Sequence, residues 1–198
     1  MANSTNDLST LRLDEWFLAE QSISSRGQKS CQLSANKKQV SFHLGTGLRT
    51  RFGASSFDKS VDAPRKNLDF DITSHTEIRE FLQSVDDWTV EYISQNSARL
   101  FKKVMSKEAV KEHYKPLLIT FGDSASVRTK INLSGHRVCK SWDVDRNPTE
   151  LPVDCSWLSN TYDVLVSLPQ LYVMQSDFGW IMETTALRVC PIDHECPF

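Results

Sequence analysis

The sequence predicts an α+β protein in which an antiparallel sheet curls into a small barrel and a group of helices is inserted between its strands. Apolar residues recur at helical spacing in the middle of the chain, they alternate with polar residues on both sides of it, and no segment repeats. A length of 198 residues with 39% hydrophobic content supports one sizeable core. We expect one domain over residues 22–190, an N-terminal arm at 1–21, the helical insertion at about 74–115 and a short acidic tail at 191–198.

The first strands are predicted from short alternating runs. Residues 11–20 fit either a short helix or a loose arm. Residues 30–44 are typical of two strands that form a hairpin around a turn at residues 35–38. Three glycines then frame residues 48–52, which we expect to be a flexible segment rich in cations, and alternation from Leu68 to Ile72 indicates a further strand with one buried face.

The helices of the insertion are predicted from capping and periodicity. Ser74 and Glu77 have the spacing of a capping box, and a long helical pattern follows them. A second helical stretch lies around residues 100–104, and Ser106 can cap a third helix that Pro116 must end.

The second half of the chain has a period of two. The predicted strands are residues 127–133, 136–142, 163–168, 171–176 and 180–189. We expect Ser134-Gly135 to join the first two of these strands, and residues 177–179 to form the turn of a hairpin between the last two.

The net charge of −2 hides a strong asymmetry along the chain. Residues 24–66 contain nine basic and two acidic side chains, whereas residues 147–198 contain seven acidic and one basic. This polarity suits a protein with one surface that faces a polyanion. The alternative, that the charges only solvate opposite faces, remains open.

Two clusters combine the side chains that a binder of single strands needs, namely cations for the phosphates and flat rings on which bases stack. The first cluster is Lys37, Lys38, Arg49, Arg51 and Phe52; the second is Arg128, Lys130, Lys140 and Trp142. Arg128 and Lys130 must project from the same face of their strand. The alternative, that Phe52 and Trp142 belong to the core and the cations solvate a sheet face, also remains open.

No pattern of an enzyme or cofactor site stands out. The sequence has no Walker-type loop, no G-x-G-x-x-G after a strand and no G-x-S-x-G, so we predict a binding protein with no catalytic residues and no cofactor. Cys190, His194 and Cys196 lie close together but lack a fourth ligand, so no metal site is predicted. A hydrolase built from scattered carboxylates stays open as a third alternative.

Composition also bears on the cellular compartment. No apolar run approaches the ~20 residues of a membrane helix, and the N-terminus lacks the pattern of a signal peptide. The five cysteines are scattered and odd in number, which favours reduced thiols. We expect an intracellular protein of a reducing compartment that does not bind a membrane.

The C-terminal residues form a short acidic tail that ends in an aromatic ring. Asp193 and Glu195 precede Pro197 and Phe198. Such a peptide can place its ring in a partner's pocket, or compete with DNA for a basic groove of its own chain. An ordinary chain end is the alternative.

The order of several short motifs resembles a known family. They are Leu48-Arg49-Thr50-Arg51-Phe52-Gly53, the strand at 67–72, a helix ending near Asn96-Ser97, Val110 to Leu118 with Tyr114-Lys115-Pro116, Leu171-Tyr172 and Phe178-Gly179-Trp180. Over about residues 22–189 the sequence resembles the single-stranded DNA-binding proteins of nucleo-cytoplasmic large DNA viruses, which are similar to those of short-tailed coliphages.

This resemblance implies an OB-fold barrel with inserted helices, and sequence-tolerant binding of single-stranded DNA in replication, recombination or repair. It adds Tyr172 and Trp180 as stacking candidates and places the protein in a nucleus or a viral replication site. It also implies that the tail recruits replication proteins, although only two acids precede Pro197 and Phe198 here. A homodimer is compatible with the sequence. The alternative function is a protein-interaction module or nucleic-acid mimic that uses the acidic C-terminal third.

Overall fold

The computed structural model describes residues 8–56, 63–175 and 177–192, and within these ranges it has eleven strands and two α-helices. The strands are β1 (Trp16–Leu18), β2 (Ser22–Ile23), β3 (Lys29–Ala35), β4 (Val40–Thr50), β5 (Arg65–Asp71), β6 (Tyr114–Lys115), β7 (Leu118–Phe121), β8 (Ser124–Asn132), β9 (Lys140–Trp142), β10 (Asn160–Met174) and β11 (Asp177–Pro191). The helices are α1 (Thr76–Phe101) and α2 (Lys107–His113), and both lie between β5 and β8.

Five of the strands close into a barrel. β4 pairs with β5 and β10, β5 pairs with β8, and β10 pairs with β11, all antiparallel. The ring is closed by a short parallel pairing of β8 with β11, in which Lys130 lies opposite Glu183 and Ile131 opposite Thr184. This is the strand order of an OB-fold, and it confirms the predicted barrel with inserted helices.

Two predicted hairpins are wrong in their pairing. The turn after β3 is present, because Asn36 and Lys37 adopt positive φ and Ala35 exchanges two backbone hydrogen bonds of 2.9 Å with Lys38. Beyond that bridge, however, β3 and β4 do not pair with each other. Both pair with β10, one after the other along the same edge. In the same way, β8 and β9 pair with consecutive parts of β11 and not with each other. A local turn signal therefore located the turns but not the partners of the flanking strands.

The hairpin of β10 with β11 is longer than predicted, and its turn comes earlier. The predicted strands at 163–168 and 171–176 are parts of one strand, β10, which pairs with β11 along most of its length. Met174 is paired with Asp177, and Gln175 adopts a positive φ of 54°. Residues 177–179, predicted as the turn, therefore belong to β11.

The segment predicted as a short helix or loose arm contains a strand. β1 pairs with the end of β3, and its Trp16 and Leu18 are buried. Arg99 of α1 holds this strand, because its guanidinium donates to the Leu18 carbonyl at 3.0 Å and lies 4.7 Å from the centre of the Phe17 ring. The short helix is limited to a single 3-10 turn, Leu13–Glu15.

α1 is longer than predicted and begins without the predicted capping box. Its N-cap residue is His75 and makes no side-chain cap, while Ser74 Oγ lies 3.2 Å from His75 Nδ1. The helix continues to Phe101, so Leu100 and Phe101 of the stretch predicted as a second helix belong to α1, which ends where Lys102 adopts a positive φ. The cap of α2 is confirmed, since Ser106 accepts a hydrogen bond from the Ala109 amide.

A buried carboxylate joins α1 to the chain that follows α2. Asp86 accepts from the Tyr114 hydroxyl at 2.5 Å and from the backbone amides of Leu117 and Leu118 at 2.9 and 3.1 Å. Burial raises the pKa of Asp86 even though these three donors favour its charged form. No pattern in the sequence distinguishes Asp86 from its neighbour Asp87, which is exposed.

Two further observations concern the predicted compartment and membrane behaviour. Cys31, Cys139 and Cys190 are free thiols. None of the helices in the described ranges is long and apolar enough to cross a membrane.

Replacing Asp86 with alanine tests the importance of this carboxylate. Asp86→Ala should lower the free energy of unfolding by about 3 kcal/mol, because three donors lose their acceptor and buried unpaired donors cost roughly 1–3 kcal/mol each. Asp87→Ala is the matched control and should change the free energy of unfolding by less than about 0.5 kcal/mol. Urea denaturation followed by circular dichroism measures both, and equal losses would contradict the structural role of Asp86.

Candidate nucleic-acid interface

One outer surface of the barrel gathers most of the predicted cations. On β5 and β8 the buried residues alternate with outward-facing ones, and Arg49 on β4 lies between the buried Leu48 and Thr50. We call the outward-facing side chains of these strands, with Arg51 directly after β4, the barrel face. Its members are Arg49, Arg51, Arg65, Asn67, Asp69, Asp71, Arg128, Lys130 and Asn132.

Strand register places these side chains in neighbouring rows. Arg49 lies opposite Asp71, Asp69 opposite Arg128, and Asn67 opposite Lys130. The Arg51 amide donates to the Asp69 carbonyl, which continues the β4 register by one residue. Four of the predicted site residues, Arg49, Arg51, Arg128 and Lys130, therefore lie on one surface.

Three arginines of the barrel face form ion pairs across the strands. Arg128 donates to both carboxylate oxygens of Asp69, at 2.7 and 2.8 Å, and Arg51 Nε lies 3.5 Å from Asp71 Oδ2. Arg65, which the sequence analysis did not select, pairs with Glu183 of β11. The side chains of Arg51, Arg65 and Arg128 are nevertheless 25, 38 and 59% exposed, so a further anion can reach each of them.

Lys130 is a partly buried cation of the barrel face. Burial lowers its pKa, and the nearby Arg65 lowers it further, while Glu183 acts in the opposite direction. An anion bound beside Lys130 would favour its charged form.

Two aromatic side chains protrude beside the strands of the barrel face. Phe52 follows Arg51 and is 75% exposed. Phe121, at the tip of the β7–β8 hairpin, is 83% exposed and was not selected from the sequence. The Phe-Gly pair at residues 121–122, where Gly122 has a φ of +56°, was the sequence signal for a ring at a turn. Both rings are accessible to a planar ligand.

The remaining predicted lysines lie on a second surface that crosses β11. Lys37 and Lys38 line one side of a groove of about 630 Å³, and Lys140 lines it together with Arg137, a residue that sequence reasoning missed. We call this the basic groove. Asn132 of the barrel face and Glu183, which is paired with Arg65, also line it.

Trp142 lies apart from the barrel face, at the end of β9. It is half-buried and lines an apolar pocket of about 600 Å³. The other apolar side chains of this pocket are Leu133, Val138, Pro148, Leu151, Pro152 and Val153. Trp142 therefore lies outside the barrel face that holds Arg49 and Arg128, although Lys140 lines both this apolar pocket and the basic groove.

Tyr172 covers a glycine on the neighbouring strand. It lies opposite Gly179, and a Cβ placed on Gly179 would come within 3.0 Å of the Tyr172 ring and of the Lys115 carbonyl oxygen. Burial raises the pKa of Tyr172, and the charge of Asp177 raises it further. One ring face is thus used in packing, while the residue as a whole is half-buried.

Trp180 cannot act as the predicted stacking platform, because it belongs to the core. Its side chain is 7% exposed, and its indole N–H donates to Thr89 Oγ1 of α1 at 2.9 Å. The family resemblance that suggested Trp180 does not distinguish a stacking ring from a tryptophan that packs a helix onto a sheet. The predicted tail residues Asp193, Glu195, Pro197 and Phe198 lie outside the described residues.

Acids of the C-terminal third are engaged with bases of the same chain. Glu183 pairs with Arg65, Asp163 pairs with Arg188, and Asp177 lies 2.9 Å from Lys115 Nζ. These contacts reduce the negative charge that this region presents to a partner.

The fold is similar to that of phage proteins of known structure. The single-stranded DNA-binding protein gp2.5 of bacteriophage T7 matches with a TM-score of 0.50 and 11% identity, over 81% of this chain and 97% of that one. The single-stranded DNA-binding protein of bacteriophage Enc34 matches with a TM-score of 0.48 and 8% identity, over 92% and 96% of the two chains. No family model and no curated protein matches the sequence.

The core position of Trp180 leads to a test that separates stability from binding. Trp180→Phe should lower the free energy of unfolding by about 1–2 kcal/mol, because it removes the donor to Thr89 and buried volume. Its affinity for oligothymidine should stay within about twofold of the wild type, since the ring is inaccessible. Trp142→Phe, at a half-exposed site, is the control for stability. Weaker binding of Trp180→Phe at unchanged stability would restore Trp180 as a stacking residue.

Proposed function

We propose that this protein binds single-stranded DNA on the barrel face, with little preference for base sequence. The observation that carries the proposal is the register that sets Arg49, Arg51, Arg65, Arg128 and Lys130 side by side on an open surface. Phosphates would contact these cations, and bases would stack on Phe52 and Phe121, whereas Tyr172 on β10 would reach only a strand that extends beyond the barrel face.

The position of these residues on the barrel supports the proposal. β5 and β8 are the second and third strands of the barrel in chain order, and OB-folds bind oligonucleotides on the face of these strands. Five cations and three acids, Asp69, Asp71 and Glu183, lie on or beside this surface. The surface is therefore positive although the whole chain carries a net charge of −2.

The ion pairs of the barrel face suit a ligand that binds reversibly. Asp69 holds the Arg128 guanidinium through Nε and one terminal nitrogen, which leaves other N–H groups of the same guanidinium available for a phosphate. Because the arginines are already ordered by carboxylates, binding of a strand costs less side-chain entropy than it would with unpaired arginines.

Similarity to the T7 protein supports the same ligand class, since that protein binds single-stranded DNA. With the resemblance to proteins of large DNA viruses, we further propose a role in DNA replication, recombination or repair, with replication proteins as partners of Asp193, Glu195, Pro197 and Phe198. A homodimer would fit this role. A nucleic-acid mimic is less well supported, because Asp163, Asp177 and Glu183 are paired within the chain.

Charge removal on the barrel face tests the ligand and its position together. The variant Arg49→Gln, Arg128→Gln, Lys130→Gln should bind oligothymidine at least about tenfold more weakly, with a salt slope of log K reduced by about 2, since each lost phosphate contact removes about 0.7. Fluorescence anisotropy over a series of salt concentrations measures both quantities.

The control for this prediction is Arg26→Gln, Lys103→Gln, Lys111→Gln, which changes the net charge equally at exposed positions outside the barrel face. It should retain nearly wild-type affinity. A wild type that prefers a duplex of the same length, or a control that loses as much affinity as the test variant, would contradict the proposal.

Removal of the exposed rings tests base stacking. Phe52→Ala and Phe121→Ala should each weaken binding by about 1–3 kcal/mol, the cost of losing one stacked base. Both should leave the free energy of unfolding within about 0.5 kcal/mol, because these rings are exposed. Tryptophan at either position should keep the affinity, and Ile23→Ala, at another exposed apolar site, should have no effect. Loss of binding that tryptophan does not restore would argue against stacking.

A further inference from the structure

The surface of the barrel face does not end at β8. Register continues one row of it across the barrel, from Asn67 on β5 to Lys130 on β8 and Glu183 on β11. Glu183 lines the basic groove, as does Asn132 of the barrel face. The barrel face and the basic groove are therefore continuous at this row.

The charge of the basic groove matches that of the barrel face. Lys37 and Lys38 come from the turn after β3, Arg137 lies in the connection between β8 and β9, and Lys140 is the first residue of β9. In the described part of the chain no carboxylate forms an ion pair with these four cations, and Glu183, the acid that lines the groove, pairs with Arg65. The groove thus offers four cations to an extended polyanion.

The apolar pocket that contains Trp142 adjoins the basic groove at Lys140. Val138 and Lys140 line both the basic groove and the apolar pocket, so the two are adjacent. Trp142, Pro148 and Pro152 give this pocket flat apolar surfaces next to the Lys140 ammonium. A base with its flanking phosphate has the matching shape and charge, namely a planar ring beside an anion.

We propose that a strand held on the barrel face continues across β11 through the basic groove and places a base against Trp142. This inference rests on the proposed function and deepens it, because it defines a second segment of the site. The binding site is therefore longer than the barrel face, and strands that span both segments bind more tightly than strands that fill the barrel face alone.

Binding of oligothymidines of different length tests this second segment. Oligomers of about six and about sixteen nucleotides cover the range that OB-folds occupy. The wild type should bind the longer oligomer more tightly than the shorter one. The variant Lys38→Gln, Arg137→Gln, Lys140→Gln should bind the short oligomer as the wild type does and the long one at least about tenfold more weakly, with a salt slope reduced by about 2 for the long oligomer only.

Trp142 is tested in the same series. Trp142→Ala should weaken binding of the long oligomer by about tenfold, and Trp142→Phe should keep most of the affinity because the ring is retained. Matching circular-dichroism melting curves show that the variants fold. The Arg26, Lys103, Lys111 variant serves again as the control of equal charge.

The outcomes separate this inference from the function on which it rests. If the wild type binds the short oligomer but gains nothing with length, or if the groove variant loses equal affinity for both lengths, the second segment is overturned and the barrel face is not. If the wild type binds neither oligomer, both the proposed function and the proposed role of the basic groove are rejected.

Discussion

The rest of the structure depends on the short parallel contact that closes the barrel. Only two residue pairs join β8 to β11, and a buried hydrogen bond of 2.8 Å between the Thr129 and Thr184 hydroxyls reinforces them. Without this contact the two strands would present open edges, and the apolar interior between them would be exposed. The same contact sets Lys130 beside Glu183, so the closure that protects the core also makes the charged surface continuous.

Much of the fold could be predicted from the sequence because period and capping are local. Alternation located β5 and β8, and Ser106 located α2. The partners of the strands could not be predicted in the same way. β10 spans fifteen residues and offers one edge to both β3 and β4, and no residue in these two strands indicates that they share it. Likewise Ser74 and Glu77 have the spacing of a cap that the backbone does not use.

The candidate site was likewise predictable only where it depends on local sequence patterns. A period of two was enough to place Arg128 and Lys130 on one side of a strand. The carboxylates that lie opposite them, Asp69 and Glu183, belong to neighbouring strands. They could be identified only once the strand register was known. Composition cannot distinguish a ring that packs a helix from one that faces solvent. For this reason Trp180 was predicted as a stacking residue although it is buried, and the exposed Phe121 was not selected.

The place of the helices in the chain has a consequence for how the barrel face forms. β5 and β8, its two main strands, are separated in sequence by the whole of α1 and α2. Their pairing requires the ends of a long loop to meet, which costs entropy before any contact compensates for it and slows folding. During synthesis on a ribosome, the edge of β5 that pairs with β8 stays unpaired until α1, α2 and β8 have emerged. The helical insertion, held by Asp86 to the segment that leads into β7, therefore brings the two main strands of the barrel face together.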